Sequence, residues 1–355
     1  MNSIIQDLLK AHIGEDLILE DLEENQELAI EKFKRVENIL LVSAAGCGKS
    51  FCIKKMKEIT NKNMYLTATT GVAAYSIGGM TINSFMGIGT GNGSAQELYR
   101  KIKFSDTVVD RLRSTEILVV DEISMMPASL FEKINYIFMA VKGSPKFFGG
   151  VQVIFSGDFM QAMPIFKGVE DTRLLFESDL LKDNFNVIKL TKNYRQYDDY
   201  KFRDLLVRLR LGKITEDDVS SINSRKVQCK LEKDPMFLTS TNKKAMIINR
   251  SKMEKIKEEE KTYKIKLTGH KDMKKELEYQ VSLKGMDLLC LKKTARVMLV
   301  KNIDTECGLV NGAMGIIKDF ISGYPEVKFD NGVTRTVVTP VPPIVILVWL
   351  PPVEE

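Results

Sequence analysis

The 355-residue sequence has little from which to build a metal cage or a disulfide scaffold. It holds five cysteines, Cys47, Cys52, Cys229, Cys290 and Cys307, none at C-x-x-C spacing, and two histidines, His12 and His270. A structural zinc centre is therefore not expected. An odd, scattered set of thiols suits reduced cysteines in a soluble intracellular protein, whether of nucleus, mitochondrion, cytoplasm or viral factory. No run approaches the roughly 18 apolar residues of a membrane span, so no membrane partner is expected. The N-terminus is acidic and does not read as a signal or transit peptide. Internal repeats and low-complexity segments are absent. Charge of one sign is also scarce: 52 basic against 47 acidic residues leave a net +5, which permits a nucleic-acid partner without arguing for one. What remains is ordinary globular composition, 44% hydrophobic and 28% charged, long enough for two or three domains.

The rest of the chain is organised around residues 39–50, Ile-Leu-Leu-Val-Ser-Ala-Ala-Gly-Cys-Gly-Lys-Ser. An apolar strand feeds a loop of small residues, and a helical pattern with Phe51, Ile53, Met56 and Ile59 follows. Strand, loop and helix in that order make a phosphate-cradling P-loop. Backbone N–H groups of Ala45, Gly46, Cys47 and Gly48 would turn onto phosphate oxygens, with the helix N-terminus behind them. Lys49 would reach the β- and γ-phosphates, and Ser50 would hold Mg²⁺. Ser43 stands where the pattern usually begins with Gly. Upstream, Gln26 precedes a helix with Leu28, Ile30 and Phe33. Its amide is either solvated or set to hydrogen-bond an adenine edge.

Residues 117–120, Ile-Leu-Val-Val, read as a strand buried on both faces, and Asp121 and Glu122 close it. Carboxylates at the C-terminal end of such a strand face the ligand crevice. Asp121 would hold Mg²⁺, and Glu122 would orient and deprotonate the attacking water. A further buried strand, 151–155, leads to Gln161, placed to sense the γ-phosphate. The strand 187–190 leads to Arg195, placed as an arginine finger. The amphipathic helix after it, with Phe202, Leu205, Leu206 and Leu209, reads as core packing alone.

Thr69 and Gly71 lie where the strand 64–68 turns into a helix, a place suited to a phosphodiester. Ser84 and Phe85 follow on a Gly-flanked loop. Phe85 either stacks on a base or anchors the loop from inside. Polar helical patches at 94–103 and 106–113 read as a small insert. A second unit is expected from Pro235, with a strand at 236–242 and then a helix through Ala245, Ile248 and Met253. The Lys-rich stretch 252–275 mixes signs and reads as a solvated face. From Thr294 onward, short strands separated by Asn311-Gly312 and Asp330-Asn331-Gly332 suggest a small antiparallel barrel.

This ordered set resembles the petite-integration-frequency DNA helicases, RecD/Dda-like members of helicase superfamily 1B. The string Thr-Gly-x-Ala-Ala…Ile-Gly-Gly-x-Thr-x-x-Ser-Phe at 70–85 and the string Phe-Gly-Gly…Ser-Gly-Asp-Phe-x-Gln at 148–161 carry the resemblance beyond the P-loop. It implies an α/β P-loop NTPase fold of tandem RecA-like domains, the second incomplete, with a small SH3-like β-barrel insert. The implied division is a helical segment over 1–37, a first RecA-like domain over 38–234 with a helical insert near 92–114, the start of a second over 235–293, the barrel over 294–340 and a tail over 341–355. ATP and Mg²⁺ dependence, a monomer, and 5′-to-3′ movement on single-stranded DNA and DNA junctions are implied with it, in repair, recombination, replication or telomere maintenance. Thr69, Gly71, Ser84, Phe85 and Asn242 would be the DNA contacts. Asn83 stands where the family often has His, and nothing after Pro340 resembles the family's closing motifs. The resemblance therefore implies a shortened chain. Its alternative reading is a remnant that binds nucleotide and single-stranded DNA, with impaired hydrolysis and no unwinding.

Overall fold

The computed structural model describes residues 24–166, 171–225, 237–264, 288–299, 303–304, 307–310, 312–338 and 345–346. The chain divides into two compact units, Met1–Lys226 and Val227–Glu355. The expected opening helix, the expected boundary at 234–235 and most of the tail lie outside the described residues.

In the first unit the apolar runs become strands with no exposed face. β1 (Ile39–Val42), β4 (Ile117–Asp121) and β5 (Gln152–Gly157) are buried at every position. With β2 (Met64–Ala68), β3 (Met80–Thr81) and β6 (Asn186–Lys189) they form one parallel sheet in the order β3-β2-β4-β5-β1-β6. Period-2 alternation sends Leu40, Val42, Leu118, Val120, Val153 and Phe155 into one core and Ile39, Leu41, Ile117, Val119 and Ile154 into the other. Because both faces are covered, the sequence shows continuous apolar runs rather than alternation.

Helices α1 (Glu24–Lys34) and α2 (Lys49–Glu58) contribute Ala29, Phe33, Cys52, Ile53 and Met56 to the second core. α3 (Gly71–Ser76) follows β2, and α4 (Ile82–Met86) follows β3 and places Ile82, Phe85 and Met86 in the first core. The expected insert is a helix pair, α5 (Ala95–Ile102) and α6 (Asp106–Ser114). A reciprocal Ser94–Glu97 capping box starts α5. The long helix α7 (Ala128–Lys142) places Phe131, Ile134, Ile137 and Phe138 in the first core. α8 (Asp179–Asn184) precedes β6, and α9 (Tyr200–Arg210) and α10 (Glu216–Ser224) follow it.

In the second unit, α11 (Asn242–Lys255) begins after Thr241, whose hydroxyl accepts from the Lys244 N–H. The expected strand at 236–242 is corrected: residues 237–240 form no strand, and Thr241 serves as helix cap. β7 (Glu260–Lys264) pairs antiparallel with β8 (Leu288–Lys292), and the Lys-rich stretch leading into it is exposed at Glu254, Lys255 and 257–260, as a solvated face would be. β9 (Arg296–Leu299), β10 (Met314–Ile321), β11 (Tyr324–Phe329), β12 (Thr334–Thr336) and β13 (Val345–Ile346) make an antiparallel sheet in the order β12-β11-β10-β9-β13. Among the described residues its edges, β12 and β13, do not pair with each other, so closure into the expected barrel is not seen among them. Its tightest hairpin turns at Ser322-Gly323, both with positive φ, 51° and 84°. Such a two-residue loop matches strand twist.

Candidate nucleotide-binding site

All six parallel strands point their C-terminal ends to one edge, and the candidate residues gather there. The Ser43 N–H donates to the Gly157 carbonyl at 3.2 Å, carrying the β1–β5 pairing into the loop. Gly46 and Gly48 have φ of 84° and 88°, a region that disfavours side chains. At Gly46 space demands glycine as well, while at Gly48 the neighbour is the movable end of a side chain. A Cβ on Gly46 would lie 2.7 Å from Arg195 Cβ, and one on Gly48 would lie 2.6 Å from Gln26 Nε2. The loop thus brings Arg195 and Gln26, from opposite ends of the unit's sequence, against the phosphate cradle. Lys49 Nζ donates to the Ser43 carbonyl at 3.0 Å, to Ser43 Oγ at 3.1 Å and to the Ala44 carbonyl at 3.2 Å. Ser43, the departure from glycine, therefore adds a hydroxyl acceptor for the lysine.

Asp121 ends β4, is buried, and has an Oδ1 with no hydrogen-bond partner. Glu122 follows in a left-handed conformation, φ 53° and ψ 47°. Such a conformation costs a non-glycine residue about 1–3 kcal/mol and persists only when its surroundings fix it. Two features do so. Thr69 Oγ1 donates to the Glu122 carbonyl at 2.6 Å. Gly157 leaves room for the turn, since a Cβ there would lie 2.9 Å from the Ile123 nitrogen. Burial pushes the Glu122 carboxyl above its ordinary value, and Asp121 beside it adds to the rise.

Gln161 is exposed, and its Nε2 donates to Asp158 Oδ2 at 3.3 Å. The 193–196 turn docks on the loop: the Tyr194 N–H donates to the Gly46 carbonyl at 2.8 Å and Asn193 Nδ2 to the Ala45 carbonyl at 3.3 Å. A cleft of about 840 Å³ is lined by Gln26, Ala45, Gly46, Cys47, Gly48, Lys49, Ser50, Phe51, Asp121, Glu122, Gln161, Tyr194 and Arg195. Every expected nucleotide and catalytic residue borders it. A second cavity of about 500 Å³ shares Gln26, Phe51 and Tyr194 and adds Ile30 and Lys55. Polar amide and aromatic surfaces there suit a purine base. Sequence reasoning missed Tyr194, Asn193 and Asp158. Tyr194 directly precedes Arg195 in the sequence, and Asn193 precedes Tyr194.

The expected DNA contacts fare differently. Phe85 is corrected: it is fully buried, 5.1 Å from the Tyr65 ring and 5.2 Å from the Arg111 guanidinium carbon. It anchors the loop from inside and presents no face to a base. Thr69 is corrected as a phosphate donor, because its one hydroxyl proton goes to Glu122. Ser84 is exposed and its Oγ accepts from Thr81 Oγ1 at 2.8 Å, which leaves its own proton to offer. Gly71 opens α3 behind the cap Thr70. The Asn242 side chain lies outside the described residues.

The residues fit a magnesium ion. Asp121 Oδ1 is a buried acceptor without a donor, and the Ser50 side chain lines the same cleft. Among the described residues no cluster of three or more His, Cys, Asp or Glu forms a full ligand set.

The family model for PIF1-like helicase matches residues 21–220, and that for the DNA helicase Pif1 2B domain matches residues 281–320. The chain belongs to the PIF1-like helicase family. It is 36% identical over 320 residues to the ATP-dependent DNA helicase PIF1 of Saccharomyces cerevisiae, covering 87% of this chain and 36% of the relative. The Pif1 helicase of Candida albicans has a crystal structure that superposes with a TM-score of 0.76 at 29% identity, covering 94% of this chain and 85% of that one. A Bacteroides Pif1 helicase in complex with ADP-AlF3 and ssDNA superposes with a TM-score of 0.74 at 25% identity, covering 94% and 82%. The chain spans half or less of the length of the first curated relatives it matches. This PIF1-like chain has, among its described residues, no helix long and apolar enough to cross a membrane.

Proposed function

We propose that this chain is an ATP-dependent DNA helicase motor that moves 5′ to 3′ on single-stranded DNA. The observation that carries the proposal is the single cleft joining the P-loop, Asp121, Glu122, Gln161 and Arg195. Gln26 and Tyr194 support a purine base at one end. Lys49 and the loop N–H groups hold the phosphates, and Mg²⁺ on Ser50 and Asp121 would supply charge neutralisation. Glu122, with its raised carboxyl, takes the proton of the attacking water. Arg195 stabilises the charge that develops on the γ-phosphate, and Gln161 reads its presence.

Ser84, the backbone at Gly71 and Asn242 meet the DNA backbone, which makes recognition independent of sequence. Thr69 joins the two functions physically, because it sits in the expected DNA strip and bonds the turn of Glu122. Action at forks and junctions in repair, recombination, replication or telomere maintenance fits such a motor. The relative solved with ADP-AlF3 and ssDNA supports both ligands.

The test is Glu122→Gln. ATP binding is retained, and turnover falls by about two to four orders of magnitude. Turnover near wild type would remove Glu122 from the mechanism. For polarity, a partial duplex with a 5′ single-stranded tail is opened and one with a 3′ tail is not; the reverse preference would overturn the direction.

A further inference from the structure

The helix α9, expected to do no more than pack, carries an ion pair into the site. Arg210 donates from Nη1 to Asp158 Oδ2 and from Nη2 to Asp158 Oδ1, both at 2.5 Å. The Asp158 side chain is only 1% exposed. The same carboxylate organises the turn that carries Gln161: Oδ1 accepts from the Met160 N–H at 3.1 Å and Oδ2 from Gln161 Nε2 at 3.3 Å. The Asp158 carbonyl also accepts from the Gln161 N–H at 3.0 Å.

We infer that Arg210 is a positioning residue for the γ-phosphate sensor, holding Gln161 in place through Asp158. The inference rests on reading the cleft as an ATP site. Three features support it. The contact is a two-pronged fork, which fixes the carboxylate's orientation as a lysine's point charge would not. A buried ion pair is weak evidence for stability, since apolar groups of similar shape often do as well, so its geometry needs another explanation. Two residues earlier, Arg208 makes a fork to Asp218 of α10, whose carboxylate also accepts from the Thr215 N–H, whereas the carboxylate held by Arg210 accepts from Gln161 of the cleft. The Arg208–Asp218 pair ties helix to helix, and its arginine is more exposed, 39% against 19% for Arg210.

The consequence is a link along the chain. The segment that docks Arg195 on the P-loop runs straight into α9, which ends in Arg210. A displacement of α9 would therefore be felt by both the arginine finger and the sensor.

The experiment measures equilibrium affinity for ADP and for a non-hydrolysable ATP analogue in wild type, Gln161→Ala, Arg210→Lys and the double variant, with thermal unfolding alongside. Gln161→Ala lowers the preference for triphosphate over diphosphate. Arg210→Lys lowers the same preference by about tenfold, the scale of one charged hydrogen bond, with ADP affinity unchanged. The double variant is no worse than Gln161→Ala, because the arginine acts only through the glutamine. If Arg210→Lys lowers the melting temperature, the neutral pair Asp158→Asn with Arg210→Gln replaces it, with the same expected loss. A preference lowered by Gln161→Ala but kept by the Arg210 variants, or effects that add in the double variant, would overturn this inference alone. A preference untouched by Gln161→Ala would overturn both the sensor reading and the inference.

Discussion

The two units are built from strands of similar length and put them to different use. In the first, every strand runs the same way, so all C-terminal ends meet at one edge and deliver Ser43, Thr69, Asp121, Asp158 and the 193–196 turn there. In the second, the sheet is antiparallel, and successive strand ends alternate between its two sides. β10 alternates partly buried and buried positions before giving way to more exposed ones, and β11 buries every second position to its end, whereas β1, β4 and β5 are buried throughout. Parallel topology gathers chemistry at one edge; the antiparallel sheet distributes its turns, and its described residues hold no such cluster. Substitutions should therefore divide sharply between the units.

The largest division is expected at two lysines. Lys49→Ala removes the charge that faces the phosphates, so ATP turnover falls by two or more orders of magnitude or nucleotide binding is lost. Lys293→Ala in the second unit breaks only an exposed 3.4 Å pair with Asp319. ATP turnover should stay at the wild-type rate, and stability should move by less than about 1 kcal/mol. A steady-state ATPase assay decides, and equal losses would dissolve the contrast.

Adjacent residues give the next test. Phe85→Ala empties a fully buried site and should lower stability by about 3–5 kcal/mol in denaturant titration. Ser84→Ala should leave stability within about 0.5 kcal/mol and weaken single-stranded DNA binding. If Phe85→Ala instead folds normally and loses DNA, the ring is not the anchor the structure shows.

In the second unit, Gly332 at φ 88° closes the β11–β12 turn. Gly332→Ala should destabilise that unit by about 1 kcal/mol, read by local hydrogen exchange, and spare nucleotide affinity.

The smallest effect concerns pH. The Glu122 carboxyl holds its proton more tightly when folded than when unfolded, so its ionisation opposes folding. The penalty is absent below the ordinary carboxylate range and grows as pH rises through the raised value. In buffer without nucleotide or magnesium, Glu122→Gln should melt slightly higher than wild type at pH 7, with the gain vanishing at pH 4. A lower melting temperature at pH 7 would mean that the carboxylate is stabilised in the fold.

Much of the first unit was legible because its signals are local. Apolar runs such as Ile-Leu-Leu-Val end in residues whose chemistry is plain, and Lys49, Asp121, Glu122, Gln161 and Arg195 could be placed from their own neighbours. What escaped depends on contacts between distant positions. Arg210 looks like one more basic residue on an amphipathic helix, and only folding sets it against Asp158. Phe85 sits beside a polar, exposed Ser84, and a loop sequence alone does not say which of the two points inward. Thr69 carried the right location and the wrong partner, since its proton is taken by a backbone carbonyl more than fifty positions away. In the second unit the Asn-Gly and Asp-Asn-Gly turns stood out, while Ser322-Gly323, a less typical pair for the same turn, did not.

The central claim is that the cleft of the first unit hydrolyses ATP in response to single-stranded DNA. The most direct measurement is the ATP turnover of residues 1–355 titrated with single strands of unrelated sequence at several salt concentrations. Turnover should rise with DNA, equally for each sequence, and the DNA needed should increase with salt as counterions compete for the phosphates. Turnover that is indifferent to single-stranded DNA, or that responds only to one duplex sequence, would contradict it.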